Sequence, residues 1–304
     1  MNSTAEEGVM NHTSLEIFQV VAEELSIAKA AKRLGRVQSN VTTRIQLLEE
    51  ELDVQLFIRE NRKIRLSPQG KQFLGYALRI LSLAQEAKQT LHPTAPTGKL
   101  LLGSMECTAA SRLTNPLSVF SKEYPDLKIT ISTNSTHPLM EKVINSELDC
   151  ALVSLPKESN GKIVCPTKLC YESLFSEKLL LVLPGSLKNE KDLWNINELN
   201  LAVFPRGCSY REITLAVLEN KIKFFDKLVI QEISSYHSML ACVASGSSIC
   251  LLPESVLEIL QVPNGLTVLP ACIAETQLIW RQDFESPALE SLTNILKRYS
   301  NIDN

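Results

Sequence analysis

The stretch Ser26-Ile27-Ala28-Lys29-Ala30-Ala31-Lys32-Arg33-Leu34-Gly35-Arg36-Val37-Gln38-Ser39-Asn40-Val41-Thr42-Thr43-Arg44-Ile45 decides how the chain folds. Ser26 is a favourable N-cap and predicts a short helix from Ile27 to Leu34. Gly35-Arg36 makes a tight connection. A further helix is expected from about Gln38 to Leu52, with Val41, Ile45, Leu48 and Leu52 on one face. Upstream, Leu15, Phe18, Val21, Ala22 and Leu25 recur at helical spacing. Two helices joined by about three residues make a helix-turn-helix. Downstream, Asp53 to Ser67 reads as a short basic hairpin, or wing.

In a helix-turn-helix the second helix enters the major groove, its N-terminal residues against base edges. Here those residues are Gln38, Ser39, Asn40, Thr42, Thr43 and Arg44. Gln and Asn pair bidentately with adenine, Arg with guanine, and a Thr methyl touches thymine. Lys32, Arg33, Arg36 and the wing residues Arg59, Arg62, Lys63 and Arg65 suit phosphates, which confer affinity and register without sequence information. The net charge of -3 argues against a nucleic-acid partner only if charge is averaged over the chain. Between Ser26 and Lys71 the basic residues outnumber the acids Glu49, Glu50, Glu51, Asp53 and Glu60 two to one. A basic module is thus fused to a larger acidic one.

Beyond the wing, Phe73, Ala77, Ile80, Ala84, Ala87 and Leu91 alternate in steps of four and three, the seam of a dimerising coiled coil, with a helix packed on its own domain as the alternative. His92 to Gly98 (HPTAPTG) is a hinge. Strands and helices then alternate: strand Lys99–Gly103, helix Thr108–Lys122, strand Leu127–Ser132, helix Pro138–Asn145 and strand Leu148–Leu155. A second set follows, with strands Lys178–Pro184 and Leu201–Phe204, helix Arg211–Asn220, strand Leu228–Ile233, helix His237–Ser245 and strand Ile249–Pro253. Strand Thr276–Arg281 and helix Ala288–Tyr299 return to the first half. The fold class expected is α/β: two parallel-sheet lobes behind an all-α winged helix-turn-helix and linker helix. The divisions are 1–9 (extension), 10–68 (DNA binding), 69–91 (linker), 92–98 (hinge), 99–170 with 276–304 (lobe I) and 171–275 (lobe II). A ligand cleft belongs between the lobes, at the carboxyl ends of their strands.

Composition narrows the class. At 44% hydrophobic and 21% charged residues, the 304-residue chain can bury a core, which excludes a wholly disordered protein. No run of about 18 apolar residues supports a spanning helix, so no membrane partner is expected. Met1 to Gly8 is polar and acidic, unlike a signal peptide, and a cytoplasmic location follows as the expectation. None of the eight cysteines stands in CxxC spacing. Buried thiols in a reducing compartment are the simpler reading and a redox pair the alternative. No metal or cofactor is expected.

Ser26, Ala30-Ala31, Leu34, Gln38-Ser39, Ile45, Leu48-Glu49, Leu52, Leu56-Phe57, Arg59, Leu66-Ser67 and Gly70 resemble the N-terminal signature of LysR-type transcriptional regulators. The resemblance implies a winged helix-turn-helix and a dimer through the linker helix, usually assembled as a dimer of dimers. It implies an effector domain like a periplasmic binding protein, an interrupted dyad operator in double-stranded DNA, and contact with RNA polymerase. Two departures stand out. The usual Ser-Arg-x-Ile reads Thr42-Thr43-Arg44-Ile45, with the arginine displaced by one position, and Asp53 stands where glycine is common. Family members begin close to the first helix, so Met10 is a second candidate start.

In the second half, Gly103 to Ala110, Cys208 to Arg211 and Ser235 to Cys242 resemble the putrescine-utilisation branch of that family. Glu106, just ahead of a helix beginning near Thr108, either makes the cleft acidic and suited to a cation or simply stabilises the helix end and faces water. Tyr210 and Tyr236 offer aromatic faces to an ammonium group. Ser104, Thr133, Ser135 and Ser209 are candidates to supply hydrogen bonds, as is His237, for which a structural role at the helix start is the favoured alternative. The expected effector is a small diamine, putrescine or cadaverine, activating polyamine catabolism or cation efflux genes; a carboxylate or an antimicrobial cation is the alternative. An enzyme is disfavoured, since no GxSxG, GxGxxG, GKS/T or HExxH motif is present. A solute-binding transport component is disfavoured by the basic N-terminal module.

Overall fold

A computed structural model describes residues 10–60, 63–91, 98–158, 160–194, 200–219, 221–223, 225 and 228–300. The N-terminal extension, Arg62 and the expected hinge up to residue 97 lie outside the described residues. The chain divides into two compact units at the end of the linker helix.

In the first unit, Asn11 caps α1 (His12–Glu24) by accepting from the Ser14 amide at 3.0 Å. Ser26 caps α2 (Ile27–Leu34), which ends at Gly35 in the left-handed region, φ 63°. Helix α3 (Gln38–Glu51) buries Val41, Ile45 and Leu48. The wing is an antiparallel pair, β1 (Phe57–Glu60) with β2 (Lys63–Leu66), and α4 (Pro68–Leu91) follows. Phe18 centres this small core, its ring 5.4 Å from Phe57 and 5.1 Å from Phe73.

Contacts at the wing are close. The Glu49 carboxylate accepts from the Leu56 and Phe57 amides at 2.7 and 2.9 Å, fastening α3 to β1. The Ser67 hydroxyl accepts from the Gly70 amide at 2.8 Å. A Cβ on Gly70 would stand 2.0 Å from the Leu56 carbonyl oxygen, so only glycine fits there.

The second unit is built on an eight-stranded sheet in the order β4-β3-β5-β10-β6-β9-β7-β8. Strands β3 (Gly98–Ser104), β4 (Leu127–Thr133) and β5 (Cys150–Val153) are parallel and carry α5 (Glu106–Arg112), α6 (Thr114–Glu123) and α7 (Thr136–Ile144). Strands β7 (Asn200–Val203), β8 (Val229–Glu232) and β9 (Ser248–Pro253) are the second parallel set, with α9 (Ser209–Glu219), α10 (Tyr236–Ala244) and α11 (Glu254–Ile259). The short α8 (Glu190–Leu193) precedes β7, and α12 (Pro287–Arg298) closes the first lobe.

Three elements differ from expectation. Strands β6 (Leu169–Leu183) and β10 (Thr267–Arg281) run far longer than the predicted 178–184 and 276–281, pairing antiparallel and passing through both lobes. Their polar residues Glu172, Ser173, Ser176 and Glu177, and Pro270 within β10, hide the strand signal. The expected boundary at residue 171 therefore falls inside a shared strand. The single helix expected over Thr108–Lys122 is broken at Leu113, because Pro116 cannot donate to the Arg112 carbonyl.

Candidate nucleic-acid interface and effector cleft

Gln38, Ser39, Asn40 and Thr43 are exposed on α3, with Thr42 and Arg44 half-buried. The Thr42 hydroxyl donates to the Gln38 carbonyl at 2.9 Å, which holds that oxygen against the helix backbone. Lys32 and Arg36 are exposed beside the turn. Arg33 is not available in the same way. Its guanidinium pairs with Glu23 at 2.7 Å and Glu24 at 3.1 Å, and those carboxylates push its pKa further up.

The wing presents its bases on two sides. In the ladder Arg59 opposes Ile64 and Arg65 opposes Ile58, so Arg59 and Arg65 point from opposite faces. Both are exposed.

The linker helix revises the expected seam. Phe73 and Ala77 pack into the helix-turn-helix core. The outward apolar stripe is Tyr76, Ile80 and Leu83, 55%, 44% and 63% exposed, continued by exposed Ala87. Spacing alone could not say which of two adjacent stripes α1 would cover.

In the second unit, the carboxyl ends of β3, β4, β7 and β8 face a cavity of about 430 Å³ between the lobes. Glu106, Thr133, Ser135, Tyr210 and Tyr236 line it, as expected. Glu106 is the first residue of α5 rather than a residue ahead of it. Partial burial pushes its carboxyl above the ordinary range, and His237 nearby pulls it back. Tyr236 meets Phe204 edge-on at 4.8 Å.

Four other expected residues do not line the cavity. Ser104 is buried, its hydroxyl donating to the Met105 carbonyl at 2.9 Å. Thr108 is the third residue of α5, buried against Cys107. Ser209 donates across the lobes to the Ser154 carbonyl at 2.6 Å. His237 is exposed and lies outside the cavity wall, its charge bearing on Glu106.

The residue that sequence reasoning missed is Arg206, exposed and lining the cavity. It follows β7 in Pro205-Arg206-Gly207, and a base at a strand's carboxyl end is a readable signal. Arg211 fixes this loop, donating to the Phe204 carbonyl at 3.0 Å and to Glu232 at 2.6 Å. Gly207, φ 92°, accepts from the His137 amide at 3.1 Å, a second bond between the lobes. Among the described residues no His, Cys, Asp and Glu group of three or more could hold a metal, and no helix is long and apolar enough to cross a membrane.

Comparison with known proteins agrees with this division. Residues 12–71 match the bacterial regulatory helix-turn-helix protein, lysR family, and residues 93–301 match the LysR substrate binding domain. The HTH-type transcriptional regulator YofA of Bacillus velezensis is 34% identical, covering 96% of this chain and 99% of that protein. GltR of Bacillus subtilis is 34% identical over 82% of this chain and 81% of its own. CzcR of Bacillus subtilis is 30% identical over 96% and 99%. The fold is that of full-length OxyR from Pseudomonas aeruginosa (TM-score 0.72, 22% identity, 97% and 99% covered). It is likewise that of CbnR, a LysR family transcriptional regulator (TM-score 0.65, 21% identity, 96% and 100% covered). Two matched domains that together span almost the whole chain, and relatives named as regulators along its full length, identify a DNA-binding regulator and not an enzyme. The chain belongs to the LysR family of bacterial helix-turn-helix transcriptional regulators.

Proposed function

We propose that this regulator senses a small amine-bearing molecule in the cleft between its effector lobes and passes that signal to DNA. The observation that carries the reading is Glu106, a cavity-lining carboxylate without an ion-pair partner among the described residues. Tyr210 and Tyr236 add aromatic wall. A diamine, putrescine or cadaverine, satisfies Glu106 with one end. A carboxylate effector is the second reading, and Arg206 favours it.

On DNA, α3 lies in the major groove, with Gln38, Ser39, Asn40, Thr42, Thr43 and Arg44 reading base edges. Lys32, Arg36, Arg59 and Arg65 hold phosphates. Two chains join along the outer stripe of α4, and two dimers span an interrupted dyad. Effector binding favours one lobe arrangement and so one tetramer geometry, changing the DNA bend and the contact with RNA polymerase. Activation of polyamine catabolism or cation efflux genes, in the cytoplasm, is the role proposed.

The test is binding of the full chain to DNA from its own promoter. Affinity falls by about three orders of magnitude or more between 50 and 200 mM salt if several phosphates are held, and putrescine alters the protected region. A footprint indifferent to putrescine, cadaverine, a dicarboxylate and an amino-carboxylate overturns the effector reading while leaving the DNA reading intact.

A further inference from the structure

The cavity holds two opposite charges on opposite lobes. Glu106 follows β3 in the first lobe, and Arg206 follows β7 in the second. Among the described residues neither makes an ion pair. Three helices of at least nine residues, α7, α9 and α10, begin at the same cavity, and their N-terminal amides favour an anion beside Arg206. The first turn of α10 has no side-chain cap.

Of the described residues that line the cavity only Glu106 and Arg206 carry a charge. Tyr210, 4% exposed, forms part of the wall, but its hydroxyl is enclosed beside Cys107 and Thr276 and is not presented to a ligand. The two charged side chains are therefore the groups that set the charge pattern of the bound molecule.

We infer that the effector is an amino-carboxylate zwitterion, its ammonium on Glu106 and its carboxylate on Arg206. The inference rests on the proposal that the cleft takes an amine, and it sets the charge of the other end. A zwitterion bridges the lobes with attraction at both ends. A diamine brings an ammonium to Arg206 and a dicarboxylate brings an anion to Glu106, and each mismatch is a like-charge contact that selects against the wrong ligand. Because the two anchors sit on different lobes, only the matched ligand draws both sides together, which couples recognition to closure.

A four-carbon series separates charge pattern from size: 4-aminobutyrate (plus and minus), putrescine (plus and plus) and succinate (minus and minus). The full chain is titrated calorimetrically with each, and with a mixture of the proteinogenic amino acids followed by its single components. A zwitterion is expected to bind at least about tenfold tighter than putrescine or succinate, a difference of about 1.4 kcal/mol. Arg206→Glu is expected to reverse the order of 4-aminobutyrate and putrescine, a ratio within one variant that does not depend on its overall stability. Putrescine tightest in the wild-type chain overturns the zwitterion and upholds the diamine. Succinate tightest overturns both, and so does binding of none of these compounds. An unchanged order in Arg206→Glu overturns the role of Arg206 as the carboxylate anchor.

Discussion

Arg112 holds Glu177 through three hydrogen bonds, Nε and Nη2 reaching Oε2 at 3.2 and 3.0 Å and Nη2 reaching Oε1 at 3.1 Å. Glu177 is 4% exposed at the middle of β6, and the Ser255 amide at the start of α11 donates to its Oε1 at 3.3 Å. One carboxylate thus joins α5, which carries Glu106, to the crossing strand and to a helix of the other lobe. Glu177→Ala strands the guanidinium and the amide, and a loss of about 3 kcal/mol is expected, read by urea denaturation. Arg112 is partly exposed, so Arg112→Ala is expected to cost less. A double mutant whose loss equals the sum of the singles would show the two residues to be independent.

Asp53 has a φ of 51°, in the left-handed region that favours glycine. The departure from the family pattern noted in the sequence is therefore a residue under backbone strain. Asp53→Gly is expected to stabilise the DNA-binding unit by about 0.5–1 kcal/mol, the relief being offset by a floppier unfolded chain. Thermal melting checks it, and an unchanged or lower midpoint would mean that the Asp53 side chain compensates.

Arg33 and Arg59 are both arginines near the expected phosphates, but only Arg33 is tied to Glu23 and Glu24. Arg59→Ala is expected to reduce the salt slope of DNA binding by about one and to weaken all sequences alike. Arg33→Ala is expected to leave the slope unchanged while loosening α2 from α1. Equal slopes lost in the two variants would place Arg33 on a phosphate after all.

The helix-turn-helix was legible because its determinants are local: a cap, a turn glycine and one periodic face. The cleft was half legible. Glu106, Tyr210 and Tyr236 stand in recognisable motifs, whereas Arg206 owes its place to the sheet order, which brings the end of β7 opposite the end of β3 only after β6 and β10 cross. Those long strands were missed for the same reason. Their pairing is non-local, and one half of each faces a different lobe, so no single alternation runs through either. Ser104, Thr108 and Ser209 lie off the cavity wall: strand and helix position predicts nearness to a cleft, but the hydroxyls of Ser104 and Ser209 are bonded to the Met105 and Ser154 carbonyls.

Burial pushes the Cys107 thiol up to about 11, and pushes Cys150 and Cys250 well above the ordinary thiol value as well. Thiols rather than thiolates at neutral pH are poor nucleophiles. Brief alkylation of the native chain is expected to label the partly exposed Cys170 and Cys242 before these three, as peptide mapping would reveal. The same shift sets an alkaline limit. A folded-state pKa above the unfolded one stabilises the fold below the unfolded value and is lost as pH rises from about 9 to about 11. Cys107→Ala is expected to flatten the fall of melting temperature across that window, and an unaltered slope would assign the fall to other groups.

Leu83 is 63% exposed on α4, in a stripe with Tyr76, Ile80 and Ala87 that steps by four, three and four residues. That period underlies left-handed coiled-coil pairing. Burying one leucine contributes about 1.5–3 kcal/mol, and a twofold interface counts it twice. Leu83→Glu is therefore expected to weaken self-association at least about a hundredfold, seen as monomer in sedimentation at micromolar concentration. Glutamate is a good helix former, so helicity by circular dichroism should hold and isolate the effect to the interface. Ala77→Glu, by contrast, strikes the core shared with α1 and is expected to unfold the DNA-binding unit rather than merely dissociate it. A Leu83→Glu chain that stays dimeric and binds DNA as before would move the dimer seam off this stripe.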